Sequence, residues 1–166
     1  MSTMTADRVR IFSYLTRTRF LHIEDSLDIR KLRIFMGSFQ KGQGASSTAY
    51  TFLDLDDARV VLGDMAWGKP VEFMDYKGGK DAKRAVIARL LKIQSKENRI
   101  WIQVSNGPGR EIEFGVIKPN GAPSAEISIP LDVFDARKMA HACLAYISAW
   151  DVVQMIGGKW KVGNGD

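Results

Sequence analysis

Twice along this chain, segments rich in β-branched and aromatic residues, joined by turn signals, run into a segment of helical period, and that order allows few folds. In the first half, Lys31 to Lys41 reads as a strand, Lys41-Gly42-Gln43-Gly44 as a turn and Ser47 to Leu53 as the returning strand. Asp54 to Trp67 then reads as a short helix, with Asp54, Asp56 or Asp57 placed to accept from its free N-terminal amides. The second half offers strands at Val71 to Tyr76, Ala85 to Gln94, Arg99 to Val104, Glu111 to Ile117 and Ala125 to Ile129. Lys77-Gly78-Gly79-Lys80 reads as a flexible basic loop, and Lys96-Glu97-Asn98 and Asn106-Gly107-Pro108-Gly109 as turns. Pro119 to Pro123 breaks the chain again. Beyond Asp132, the expected cap, Ala136, Ala140, Cys143, Ile147 and Trp150 form one apolar stripe at helical spacing, which Gly157-Gly158 ends.

Hairpins backed by helices predict an α+β fold of antiparallel sheets with one face covered by amphipathic helices. A single domain over residues 31–156 is expected, in two repeats at about 31–68 and 71–156. Residues 1–30 read as a basic arm or an edge strand, and 157–166 as a Gly-rich tail.

Charge narrows the function. The net charge is +5 over 166 residues, but nine cations against two carboxylates lie between Lys77 and Arg110, a concentration that attracts polyanions. The single cysteine, Cys143, excludes an internal disulfide and a multi-cysteine zinc site. No run of about 18 apolar residues calls for a membrane span. The first residues lack the apolar stretch of a secretory signal, which leaves a cytoplasmic, even nucleoid-associated, protein as the expectation. Arg8, Arg10, Arg17 and Arg19 among threonines keep an organelle transit peptide as a second reading.

Strand alternation separates two faces. In Arg99 to Val104, Ile100, Ile102 and Val104 are aliphatic, opposite Arg99, Trp101 and Gln103. In the first strand Arg33, Phe35, Gly37, Phe39 and Lys41 alternate with Ile34, Met36, Ser38 and Gln40, so either set could face the core. In Ala85 to Gln94 both sets hold apolar residues and one cation, Arg89 or Lys92, and the phase stays open. Aromatic rings beside cations suit unpaired bases. Each ring stacked on a base contributes about 1–3 kcal/mol, cations meet the phosphates, and Gly37 would let a base approach the sheet.

The second half also resembles a family. Leu90-Leu91-Lys92-Ile93, a short turn, Arg99 to Val104, and Ile127-Ser128-Ile129-Pro130 leading into a long helix with Trp150 are similar to Whirly proteins, and in plan to the positive-cofactor-four and Pur-alpha families. The resemblance covers about Arg33 to Trp150, best from Val71. The Lys-Gly-Lys-Ala motif of plant Whirly proteins is not matched; Tyr76-Lys77-Gly78-Gly79-Lys80 is the nearest string. The resemblance implies curved sheets in a two-repeat Whirly-like arrangement, single-stranded DNA or RNA held on them, and a homodimer or homotetramer. Carried onto this chain, it implies binding through Phe35, Phe39, Lys77, Lys80, Lys92, Arg99 and Trp101; Arg33, Lys41, Arg89 and Gln103 join them from the face reading.

Enzyme signals are weak. Asp54 to Asp57 could hold a divalent metal for a nuclease, but capping explains the run more simply. His141 and Cys143 are two apart on a helix and point in different directions. His22 stands alone, and no glycine pair opens a helix as a phosphate loop would. No catalytic residue, metal or cofactor is therefore expected. The leading expectation is a non-enzymatic binder of single-stranded nucleic acid, DNA favoured. An RNA binder of the same fold and a protein-interaction scaffold are the alternatives, with a metal-dependent nuclease behind them.

Overall fold

The computed structural model describes residues 8–40 and 42–157. Four strands, β1 (Arg10–Leu15), β2 (Arg19–Ser26), β3 (Lys31–Phe39) and β4 (Ala45–Asp54), precede helix α1 (Leu55–Ala66). Five more follow: β5 (Glu72–Lys80), β6 (Val86–Lys96), β7 (Arg99–Glu113), β8 (Val116–Pro119) and β9 (Ala125–Asp132). Helix α2 (Val133–Met155) closes the described chain. The first sheet is an antiparallel meander in the order β1-β2-β3-β4. The second runs β5-β6-β7-β8, with β9 also paired to β7. The fold is α+β, two curved antiparallel sheets with two helices.

One core joins all of this. Leu21 and Ile23, Ile34 and Met36, and Leu53 from the first sheet meet Leu91, Ile93, Ile102, Val104, Ile129 and Leu131 from the second. Val61, Leu62 and Met65 of α1 join them. The whole α2 stripe, Ala136, Ala140, Cys143, Ile147 and Trp150, is buried in this same core. Asp132 caps α2, its carboxylate accepting from the Asp135 amide at 2.7 Å. Burial without a partner charge raises the Cys143 thiol to about 12, which keeps it protonated and unreactive. The helices lie antiparallel: Arg59 holds Asp151 through two bonds of 2.7 and 2.8 Å, and Arg137 donates to the Ala66 carbonyl at 3.2 Å.

Four stretches differ from the sequence expectation, each for a local reason. The residues read as a basic arm or edge strand form two paired strands: β1 is the edge, and β2 contributes Leu21 and Ile23 to the core. Lys77 to Lys80 is no loop but the end of β5, paired with Arg89 to Val86. Asn106 to Gly109 is no turn but the middle of β7, because its glycines serve close approach: a Cβ on Gly109 would stand 2.8 Å from the Ala88 nitrogen. Glu111 to Ile117 is not one strand; Phe114 and Gly115 turn the chain between β7 and β8, with Gly115 at φ +80°. The expected glycine-rich tail from residue 158 onward lies outside the described residues.

Candidate nucleic-acid interface

Burial fixes the phase of the first sheet. Ile34 and Met36 are buried, so Arg33, Phe35, Gly37 and Phe39 share the opposite face. Register extends that face across three strands, aligning His22 with Phe35 and Tyr50, and Glu24 with Arg33 and Phe52. The rings form two groups: Phe20 lies 5.3 Å from Phe35, 6.4 Å from Phe39 and 4.8 Å, tilted, from His22, and Tyr50 meets Phe52 edge-on at 6.0 Å. Gly37 does not open the sheet to a base. The Phe20 ring fills its place, and a Cβ there would come within 2.4 Å of that ring.

Two guanidinium groups bracket Tyr50. Arg33 lies 4.5 Å from its ring centre and 4.8 Å from that of Phe35; Arg89 lies 4.7 Å from Tyr50 and donates to its hydroxyl at 2.9 Å. Their charges are differently placed. Arg33 pairs with Glu24, both side chains largely buried, whereas Arg89 has no carboxylate within ion-pair distance among the described residues. Arg89 reaches Tyr50 although it shares its strand face with Leu91 and Ile93, because the second sheet crosses beside the free edge of β4. Asn106 of β7 makes that junction. Its Oδ1 accepts from the Tyr50 amide at 3.0 Å, and its Nδ2 donates to the Tyr50 carbonyl at 2.8 Å, so one side chain stands in for a neighbouring strand.

Lys77 borders this surface and bridges Asp54 and Asp75 at 3.0 and 2.9 Å. Burial alone would lower its ammonium pKa, but the bonds to Asp75 and Asp54 more than offset that and hold it above its ordinary value. Burial likewise acts to raise Asp54, and the bonds from Lys31 and Lys77 outweigh it, keeping the carboxylate below its usual range. Asp54 occupies the N-cap position of α1 without a side-chain cap bond, so the cap expected there is a lysine clamp instead. Asp54, Asp57 and Asp75 have carboxylate oxygens within 4.8 Å of one another, and Lys31 and Lys77 supply the positive charge beside them.

The remaining expected site residues lie elsewhere. Trp101 and Gln103 share the opposite face of the second sheet with Lys92, in cross-strand rows Gln94–Trp101–Pro130 and Lys92–Gln103–Ser128. Arg99 and Lys80 are exposed, at the start of β7 and the end of β5. The Trp101 indole is half-buried, and its Nε1–H is enclosed without an acceptor among the described residues. Arg33, Phe35, Phe39, Arg89 and Lys77 thus come together on one surface, and Lys92, Trp101 and Gln103 form a second. Lys41 lies outside the described residues. Phe20, His22, Glu24, Tyr50 and Phe52 belong to the first surface and were not expected there. Leu21 and Ile23 alternating with Phe20 and His22 carried the signal for β2.

No protein-family model and no curated protein matches the chain. The interface therefore rests on its own geometry.

His22 gives this surface a pH dependence. Burial and the nearby Arg10 lower its pKa below 6.5, with Glu24 opposing them. A folded-state pKa below the unfolded value means that the unfolded chain binds the proton first as pH falls. The associated stability is present above pH 6.5 and is lost as pH drops through the folded pKa. Melting temperature should therefore fall from pH 7 to 5, and His22→Phe should flatten that decline; an unchanged slope in the variant would assign it to other groups.

Proposed function

We propose that this protein binds single-stranded nucleic acid, DNA in preference to RNA, on the surface centred on Phe35, Tyr50 and Arg89, as a Whirly-like binder and not an enzyme. The observation that carries the reading is Tyr50 between two guanidiniums, one of them without a carboxylate, beside a row of half-buried rings. Bases stack on rings of this kind, and an unpaired guanidinium meets phosphate. Among the described residues, no helix is long and apolar enough to cross a membrane.

The test is anisotropy of a labelled single-stranded 20-mer against the duplex of the same sequence and its RNA counterpart, over a salt series. Single-stranded DNA should bind tightest. Arg89→Ala should weaken binding about tenfold and flatten the salt slope by roughly 0.7, the value for one phosphate on a single strand. Equal or tighter duplex binding would defeat the reading.

Self-association is part of the same proposal, but its surface is not the α2 stripe, which the chain's own core covers. The outward faces of the helices remain, where Val60, Val152, Met155 and Ile156 are exposed. A homodimer or homotetramer joined there would cover them, and light scattering at micromolar concentration distinguishes it from a monomer.

A further inference from the structure

The β7–β8 hairpin ends in a side chain with no structural reason to be where it is. Phe114 is fully exposed at the tip, with Ile112 and Val116 beside it 50% and 42% exposed. An aromatic ring stabilises a fold by leaving water, so a fully solvated phenylalanine on a tight glycine turn contributes nothing to this one. On the stem, Arg110 stands directly opposite Lys118. Like charges in that position repel, and neither has a carboxylate within ion-pair distance among the described residues. Arg110 and Lys118 share one face of the hairpin and Glu111 and Ile117 the other, and a bulge at Ile112 brings Glu113, opposite Val116, round to the face of the two cations. That face carries two unpaired cations against one carboxylate and leads to an aromatic tip.

The stem is anchored. Ile117 sits over Gly78 of β5 and Gly109 of β7, where an added Cβ would come within 2.3 and 2.9 Å of its side chain. The Gly115 amide closes the turn onto the Glu111 carboxylate at 3.3 Å. The tip is thus held out from the second sheet by packing at its root.

We propose that this hairpin is a wedge for nucleic acid: Phe114 inserts between adjacent bases while Arg110 and Lys118 brace the flanking phosphates. The inference rests on the nucleic-acid reading above and adds a binding element outside its surface. An apolar side chain placed between bases unstacks that step and bends the strand, while paired cations offset the phosphate charge gathered at the bend. The cationic stem selects nucleic acid over a neutral apolar partner.

The experiment uses the full chain and a single-stranded 20-mer carrying 2-aminopurine at its centre, whose emission rises when its neighbours unstack. Wild type should raise that emission on binding, and Phe114→Ala should remove most of the rise, leaving what stacking on the sheet surface contributes. The same variant should bind roughly tenfold more weakly with an unchanged salt slope, since it removes stacking alone. Arg110→Ala with Lys118→Ala should flatten the slope by about 0.7 for each phosphate that is no longer neutralised. Because Phe114 is exposed, the variant should melt as wild type does. If Phe114→Ala binds and brightens the probe as wild type does while Arg89→Ala weakens binding, the wedge is wrong and the sheet surface stands. If wild type binds no oligonucleotide, both fall. Phe114-dependent binding to anionic phospholipid vesicles, with oligonucleotide binding unaffected by the substitution, would make the tip a membrane anchor and overturn the wedge.

Discussion

Arg33→Met should destabilise the fold by about 3–5 kcal/mol, the usual cost of leaving one member of a buried ion pair alone. The Arg33 and Glu24 side chains are only 14% and 10% exposed, and they face each other across β2 and β3 beneath the aromatic group. Without the guanidinium, Glu24 keeps a charge in a site that water barely reaches. Replacing both, with Glu24→Leu beside Arg33→Met, removes the stranded charge and should return most of the loss. Urea unfolding reads this as a lower midpoint at unchanged slope for the single variant. A single variant within about 1 kcal/mol of wild type would show that solvent reaches the pair and screens it. The pairing also divides the work of the two arginines around Tyr50. Arg33 holds the surface together, and Arg89 has the charge available for a ligand.

Asn106→Ala should cost roughly 2–4 kcal/mol, because each backbone group left unsatisfied in a part-buried junction costs about 1–3 kcal/mol and the side chain serves both groups of Tyr50 as well as the Ser105 carbonyl. For a chain of this size that is a fall of about 5–15 °C in melting temperature. Binding should weaken as well, since Asn106 sets the crossing of the sheets that brings Arg89 to Tyr50. Asn106→Asp keeps the acceptor for the Tyr50 amide but loses the donor to its carbonyl, and should fall between the two. A melting temperature unchanged in Asn106→Ala would mean that water replaces the amide at the β4 edge at no cost.

How far the fold could be read from sequence follows from contrast between neighbouring residues. Helix α2 was legible because its stripe recurs at three and four residues against polar positions such as Lys138 and His141. The Ile100–Val104 set was legible because its alternate partners are polar or aromatic. Strand β2 was less so: its alternation of Phe20 and His22 with Leu21 and Ile23 is short and follows directly on Thr16-Arg17-Thr18-Arg19, which reads as a basic arm. Gly78, Gly107 and Gly109 misled for another reason. Glycine marks a turn when it supplies positive φ and a close approach when it supplies space, and only the position of Ile117 or Pro123 in three dimensions decides between them. The same limit hid half of the candidate surface. Phe35 was placed beside cations on its own strand, but Tyr50 comes next to it through register and Arg89 through the crossing of two sheets, and neither relation is local in sequence.

The burial of α2 against the first sheet sets an order of events during synthesis. Strands β1 to β4 and α1 pair with their neighbours in sequence and are complete by Ala66. Much of their apolar side is covered by the second sheet and by α2, the last element made, with Arg19 reaching the Ser128 carbonyl of β9 and Tyr146 of α2 donating to Asp25 at 2.6 Å. At about 5–20 residues per second, a ribosome needs on the order of five to twenty seconds to add the intervening chain. For that interval the nascent sheet carries Leu21, Ile34 and Met36 uncovered. A message truncated before α2 would therefore yield a product that keeps this apolar surface in water and is prone to aggregate.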